Sequence, residues 1–75
     1  SAVGQLVAGV AHELNEPLAN ALGFAQLALK AEGLPEQAER DLRNIETATL
    51  HAREVIRKLM FFGRQMPQRM EHISL

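Results

Sequence analysis

Three polar side chains near the start of the chain have the types and spacing for nucleophilic chemistry. His12 is followed directly by Glu13, and Glu16 lies one helical turn further on. A neutral imidazole is a nucleophile, and a carboxylate that accepts a hydrogen bond from Nδ1 leaves Nε2 free to attack. The same carboxylate would stabilise the positive charge that develops on the ring during attack on a phosphoryl group. We therefore interpret His12 as a candidate nucleophile assisted by Glu13.

Less specific interpretations compete with this one. A histidine on a helix surface usually has no chemical role, and we assign that interpretation to His51 and His72. His12 and Glu16 have an i,i+4 spacing that suits a metal ion, but no third ligand is evident, so we predict no metal site. The chain has no Cys, and therefore no thiolate ligand and no thiol nucleophile.

Pro17 interrupts the helical pattern directly after this polar cluster. Its ring removes the backbone hydrogen bond to the Glu13 carbonyl, and a proline in a helix interior costs about 3 kcal/mol. Proline is the usual cause of a sharp helix kink. We therefore predict a hinge at Pro17, where bending would move His12.

Two long helices must position these residues. We predict helices over residues 2–31 and 36–65, because Ala, Leu, Glu, Gln and Arg dominate and β-branched runs are absent. Gly33 suits a left-handed residue that ends a helix, and Pro35 suits the first position of the next. A loop of about four residues makes the helices antiparallel neighbours. Three acid-first pairs at i,i+4 support the second helix: Glu36/Arg40, Glu39/Arg43 and Glu54/Lys58.

Both helices carry an apolar residue every seven positions. The two seams are Val7, Leu14, Ala21 and Ala28, and Ala38, Ile45, Ala52 and Leu59. This repeat is typical of helices that pack on helices. The apolar stripes are too wide for one helix contact to cover. We therefore predict an all-α fold: an antiparallel two-helix hairpin that forms a homodimer, which is a four-helix bundle.

The same periodicity orients His12. At about 100° per residue, His12 lies about 140° from Val7 and Glu16 about 180° from it. Both side chains are therefore expected to face solvent and not the core.

Length and charge exclude several functions. The 75 residues allow one small domain, and a net charge of −1 gives no basic field for nucleic acid. No apolar stretch nears the roughly 18 residues that span a bilayer, and no signal peptide is evident. We predict a cytoplasmic piece of a larger protein, with no direct membrane contact of its own. Residues 1–65 would be the hairpin domain and residues 66–75 a linker, since Pro67 disfavours further helix.

Two segments resemble a known family. The chain reads A-H-E-L-N-E-P-L at residues 11–18, and the second helix ends L-M-F-F-G-R at residues 59–64. The first segment resembles the H-box of bacterial sensor histidine kinases, and more narrowly the subgroup with A-H-E-(L/I)-N-N-P-L. The second is similar to that family's L-x-x-F-S-R segment. The resemblance covers the dimerisation and histidine-phosphotransfer hairpin and the linker toward an ATP-binding domain.

The resemblance implies part of an enzyme, a protein-histidine phosphotransferase. His12 would be the phosphoacceptor that attacks the γ-phosphate of ATP, and Glu13 its acid/base partner. ATP and Mg²⁺ would be held by a separate catalytic domain, because no Gly-rich nucleotide lid or Asn-bearing ATP motif is present here. The chain would thus have no cofactor of its own and be inactive alone.

The resemblance also implies a second partner, the receiver domain of a response regulator, whose aspartate takes the phosphoryl group. The receiver would dock beside His12, on the face with Asn20 and Gly23 and on the part of the second helix opposite. The residues expected there are Arg43, Thr47 and His51.

Glu16 departs from the family pattern, which usually has Thr or Asn at this position. In the family that residue helps to orient the water that dephosphorylates the regulator. A carboxylate there adds negative charge beside a phosphoryl group, which is unfavourable. We therefore hypothesise weak or absent phosphatase activity.

Two other classes of function stay open. One is a non-catalytic helical module that only dimerises or transmits a signal. The other is a phosphorelay intermediate without kinase activity, but those are typically four-helix bundles in one chain, and this chain supplies two helices. The solvent-facing H-E-x-x-x-P pattern favours the phosphoacceptor interpretation, because a pure dimerisation module has no need of it.

Overall fold

The chain folds into two helices joined by a short loop. The computed structural model describes residues 2–73, and side chains for residues 2–65. Helix α1 spans Ala2–Ala28 and helix α2 spans Glu36–Ile73. They pack along each other as an antiparallel hairpin, and no strand occurs among the described residues. The predicted all-α hairpin is confirmed.

Helix α1 ends at Ala28, three residues before the predicted end at residue 31. The chain tightens there, because the Lys30 N–H donates to the Leu27 carbonyl and the Ala31 N–H to the Ala28 carbonyl, both at 3.1 Å. These i,i+3 bonds satisfy carbonyls that a helix end leaves free. Gly33 then adopts the expected left-handed conformation, with φ of 72°. The loop is therefore longer than predicted.

Helix α2 begins as the sequence predicts. The Glu39 N–H donates to the Pro35 carbonyl at 3.0 Å, and Glu36 and Glu39 lie in the first turn, near the positive end of the helix dipole. The predicted pairs of these two glutamates form with Arg40 and Arg43, at 4.0 and 3.1 Å.

The third predicted ion pair is wrong. Glu54 pairs at i,i+3 with Arg57 at 2.6 Å, and not at i,i+4 with Lys58. Both spacings lie on one helix face. The guanidinium makes two parallel bonds to a carboxylate, which a lysine ammonium cannot do.

The predicted end of α2 at residue 65 is also wrong. The helix continues through Pro67 to Ile73, and residues 74 and 75 of the predicted linker lie outside the described residues. A proline removes one backbone hydrogen bond, whereas the Gln, Met, Arg and Glu residues around it all favour helix. Whether this segment leads to a further domain stays a prediction.

Several residues with small side chains lie in the contact between the helices. The buried residues of the described part are Ala11, Leu22 and Ala25 from α1, and Thr49, Ile56 and Gly63 from α2. The Thr49 hydroxyl bonds the carbonyls of Ile45 and Glu46 within its own helix, at 2.8 and 2.9 Å. The core of the described residues is thus narrow, and the buried Thr49 needs no partner across the hairpin.

The predicted seams are rotated from this core. Leu14, Ile45 and Leu59 are 47%, 45% and 42% exposed, and Ala21 is exposed. The seam residues lie at the edge of the hairpin contact because each apolar stripe is wider than one helix needs. The periodicity located the middle of the stripe, whereas α1 and α2 bury only one of its flanks.

The helices lie close together where α2 carries a glycine. A Cβ built on the buried Gly63 would lie 2.7 Å from Cγ1 and 2.9 Å from Cβ of Val7. Real side chains do not meet at such distances, so either the valine or the helix would have to shift. Gly9, also helical, has nothing within 4 Å of its added Cβ.

These two glycines give a matched test of the helix contact. We expect Gly63→Ala to lower the free energy of unfolding, because overpacking costs about 1–3 kcal/mol and outweighs the gain of about 0.5–1 kcal/mol in helix propensity. Gly9→Ala should raise it by about 0.5–1 kcal/mol. Urea denaturation at one protein concentration measures both. Equal stabilisation by the two substitutions would show that the close contact is not there.

Candidate functional site

The three polar residues of the motif lie on the exposed surface of α1. Ala11 is fully buried, and His12, the next residue, lies about 100° further round the helix and is exposed. Glu13 and Glu16 are exposed as well. His12 is thus open to a reactant from outside the hairpin, which agrees with its predicted orientation.

No hydrogen bond joins His12 to Glu13 in the described part of the chain. The side chains of adjacent helical residues point about 100° apart, so those of residues i and i+1 do not face each other. Glu16, at i,i+4, lies on the same strip as His12. The acid/base role of Glu13 therefore stays a prediction, and it requires a change of side-chain torsion angles.

A groove between the helices opens on the same side as His12. It has a volume of about 320 Å³, and we call it the polar groove; its lining residues are Asn15, Leu50, Arg53, Glu54, Arg57 and Met60. Asn15 is one helical turn from His12 at i,i+3, which places the two about 60° apart on α1. The α2 residues that line the groove therefore lie on the side of the hairpin that carries His12.

The polar groove contains an ion pair, an unpaired cation and an unsatisfied amide. Arg57 donates from Nη2 and Nε to the two carboxylate oxygens of Glu54, at 2.6 and 3.0 Å. This hydrogen bond and the charge of Arg57 lower the pKa of Glu54, and Glu54 raises the pKa of Arg57 in return. Arg53 makes no ion pair among the described residues, and the buried Oδ1 of Asn15 has no hydrogen-bond partner there. The sequence analysis did not connect these basic residues to His12.

The predicted docking residues Asn20 and Gly23 share a shallow depression of about 210 Å³ on α1, completed by Ala19, Phe24 and Leu27. Phe24 and Leu27 are 72% and 61% exposed, so two large apolar side chains border the depression. We call these five residues the α1 hollow. The sequence analysis did not propose Phe24 and Leu27 for docking, although their size and their positions off the buried flank were a signal.

The structure does not bring the α2 residues Thr47 and His51 to this hollow. At about 100° per residue, each lies about 160° from the buried Thr49, on the outer face of α2. Arg43 is exposed and bonded to Glu39. Near the hollow the helices are joined by the Gln26 amide, which donates to the Glu46 carboxylate at 3.2 Å. The docking role of Arg43, Thr47 and His51 stays a prediction.

The opposite side of the hairpin is apolar. A groove of about 550 Å³ opens there, lined by Leu14, Pro17, Leu18, Ala52, Val55 and Ile56. Pro17 lies about 160° from Asn15, so the two grooves face in opposite directions. Helical spacing extends this surface through exposed side chains beyond the groove, namely Val10, Leu59 and Phe62. We call the whole surface the apolar face.

The described residues contain no group of three or more His, Cys, Asp or Glu side chains that could hold a metal ion. Neither α1 nor the described part of α2 has an apolar stretch of the length that a membrane span requires.

Comparison with known proteins gives one match. The family model described as His Kinase A (phospho-acceptor) domain matches residues 2–68, which include the motif at His12 and all of α1. Searches of curated proteins and of solved structures return no match.

Proposed function

Because the chain belongs to the His Kinase A (phospho-acceptor) domain family, we propose that His12 is its phosphoacceptor within a two-component sensor histidine kinase. The observation that carries the proposal is the position of His12: it is exposed on α1, in the A-H-E-L-N-E-P-L segment and away from the apolar face. The narrower assignment to the A-H-E-(L/I)-N-N-P-L subgroup of bacterial kinases rests on that segment alone.

The proposed reaction moves one phosphoryl group twice. The Nε2 lone pair of His12 forms a bond to the γ-phosphorus of ATP while the bond to the β,γ-bridging oxygen breaks, and ADP leaves with that electron pair. The Nδ1 proton passes to the Glu13 carboxylate or to water, so that the ring ends neutral. A separate catalytic domain of the same protein would hold the ATP and Mg²⁺, and the chain by itself would be inactive.

In the second transfer, an aspartate carboxylate of a receiver domain attacks the phosphorus. The nitrogen–phosphorus bond breaks, and Nε2 of His12 recovers the electron pair while Nδ1 takes up a proton. We propose that the receiver docks on the α1 hollow, where Asn20 and Gly23 leave space and Phe24 and Leu27 supply apolar contact area. Large apolar side chains on an exposed surface are typical of protein interfaces.

The apolar face supports a homodimer. Apolar side chains on both helices border its groove, and charged residues do not. A contiguous exposed patch of this kind marks an interaction surface. Pairing two copies through it yields a four-helix bundle and leaves His12 on the outside, because His12 lies about 140° from Pro17 on α1.

The oligomeric state can be tested with two leucines of similar exposure. Leu14 is 47% exposed and lies on the apolar face, whereas Leu50 is 50% exposed and lines the polar groove. We expect Leu14→Glu to weaken dimerisation at least a hundredfold, since a buried unpaired charge is strongly unfavourable. Leu50→Glu should change it less than threefold. Sedimentation equilibrium measures both. A wild-type chain that is monomeric at micromolar concentration would contradict the dimer.

The phosphoacceptor is tested by labelling. We expect the chain, mixed with a kinase catalytic domain and radiolabelled ATP, to take up acid-labile, alkali-stable phosphate. His12→Gln should abolish the label, and His51→Gln should keep it, because both histidines are exposed and only one is in the motif. Label that persists in His12→Gln would leave the non-catalytic dimerisation and signal-transmission module as the better assignment.

We further propose that Glu16 weakens phosphatase activity and that Pro17 is a hinge for signal-dependent bending. Glu16 is exposed on the strip of His12, where its charge opposes an approaching phosphoryl group. We expect Glu16→Asn in the intact kinase to raise the rate of regulator dephosphorylation about tenfold. Glu32→Gln, an exposed change in the loop, is the control. Strong phosphatase turnover that is the same before and after Glu16→Asn would refute the idea.

A further inference from the structure

The polar groove offers cations on the side of the hairpin where His12 is. Arg53 and Arg57 line the groove, and Arg64 follows Arg57 by seven residues, on the same face of α2. Lys58 lies about 160° from the buried Ile56, on the outer face. The groove remains open in the proposed dimer, because the apolar face is on the other side.

The register of the hairpin gives the level of each cation along the helix axis relative to His12. Val7 lies against Gly63, and Gln26 bonds Glu46. His12 lies five residues after Val7, and Lys58 lies five residues before Gly63, so the first contact places His12 level with Lys58. The contact of Gln26 with Glu46 places His12 level with Met60 instead. Arg57 is therefore within about 5 Å of the level of His12 along the axis, at about 1.5 Å per residue. Arg53 and Arg64 are further away along α2.

A phosphoryl group on His12 needs such a cation. It would carry about two negative charges close to Glu13 and Glu16, two exposed carboxylates that have no cationic partner among the described residues. Like charges at that separation repel, and a guanidinium offsets this repulsion. Arginine also matches the geometry of phosphoryl oxygens, to which it makes two parallel hydrogen bonds.

The present partner of Arg57 can be exchanged. The side chains of Arg57 and Glu54 are 68% and 47% exposed, so their ion pair is solvated and screened. Pairs of this kind are worth less than about 1 kcal/mol. A dianionic phosphoryl group is a stronger acceptor for the same two N–H groups than a single carboxylate.

We infer that Arg57 leaves Glu54 and binds the phosphoryl group at His12, and is thus a further catalytic residue of the phosphotransfer site. This inference rests on the proposed function of His12. Arg57 forms no covalent bond: its N–H groups donate to the phosphoryl oxygens while the nitrogen–phosphorus bond forms or breaks. Glu54 holds the guanidinium in place between reactions.

The test uses phosphoramidate, a small phosphoryl donor that requires no catalytic domain. The Nε2 lone pair of His12 bonds to its phosphorus, the original nitrogen–phosphorus bond breaks, and ammonia leaves with the electron pair and takes up the Nδ1 proton. The background variant carries His51→Gln and His72→Gln, so that labelling reports His12. Phosphorus NMR gives the rate.

We expect Arg57→Gln to label about tenfold more slowly than the background and Arg57→Lys to lie between them. Lys58→Gln, which removes one positive charge from the outer face, should stay within twofold. Glu54→Gln should be labelled about twofold faster than the background variant. Glu36→Gln, which changes a carboxylate far from His12, should be labelled at the background rate. The side-chain Nε–H signal of Arg57 should shift in nitrogen NMR when His12 is phosphorylated.

Three outcomes separate the inference from the function on which it rests. Slower labelling in Arg57→Gln together with a shifted Arg57 signal supports the inference. Labelling of His12 at equal rates in Arg57→Gln and Lys58→Gln, with an unmoved signal, overturns the inference and keeps the phosphoacceptor. A background variant that does not label at all overturns both.

Discussion

The contact of α1 with α2 through small side chains fixes the rotation of both helices, and the other surfaces follow from it. Ala11 and Ala25 turn one flank of α1 toward Thr49 and Ile56. Since a helix repeats about every 3.6 residues, the flank that is buried also determines which side chains are exposed on the other flanks. His12, next to Ala11, is left on one side, and Pro17 is left on the other.

The result is a hairpin with two chemically different sides. One side carries carboxylates on α1 and guanidinium groups on α2, and the buried Oδ1 atom of Asn15 lies in the groove there. The other side carries Leu, Val, Ala and Pro, and no charge borders its groove. A helix pair of this width cannot bury both apolar flanks at once. The polar side therefore suits transient encounters with ions and partner domains, and the apolar side suits a lasting contact.

Sequence reasoning predicted the elements better than their ends or their rotation. Composition and heptad spacing were enough for two antiparallel helices and an exposed His12, because both depend on local periodicity. The end of α2 was misjudged because Pro67 has a strong local effect but removes only one hydrogen bond from a helix of good formers. The sequence analysis placed the core at the middle of each apolar stripe. The sequence does not show how many neighbouring helices pack against one stripe. The polar groove depends on the register of α1 on α2, in which Gly63 lies against Val7, and a single sequence does not show that register.

Among the described residues, no buried side-chain hydrogen bond ties one helix to the other. The Thr49 hydroxyl is satisfied inside α2, and the Gln26–Glu46 bond between the helices is exposed to water. Turning α1 about its own axis therefore exchanges weak contacts among Ala, Leu and Ile side chains and breaks no buried polar interaction. The direction in which His12 points is therefore held by the shape of packed side chains, such as Val7 against Gly63, and not by a buried hydrogen bond.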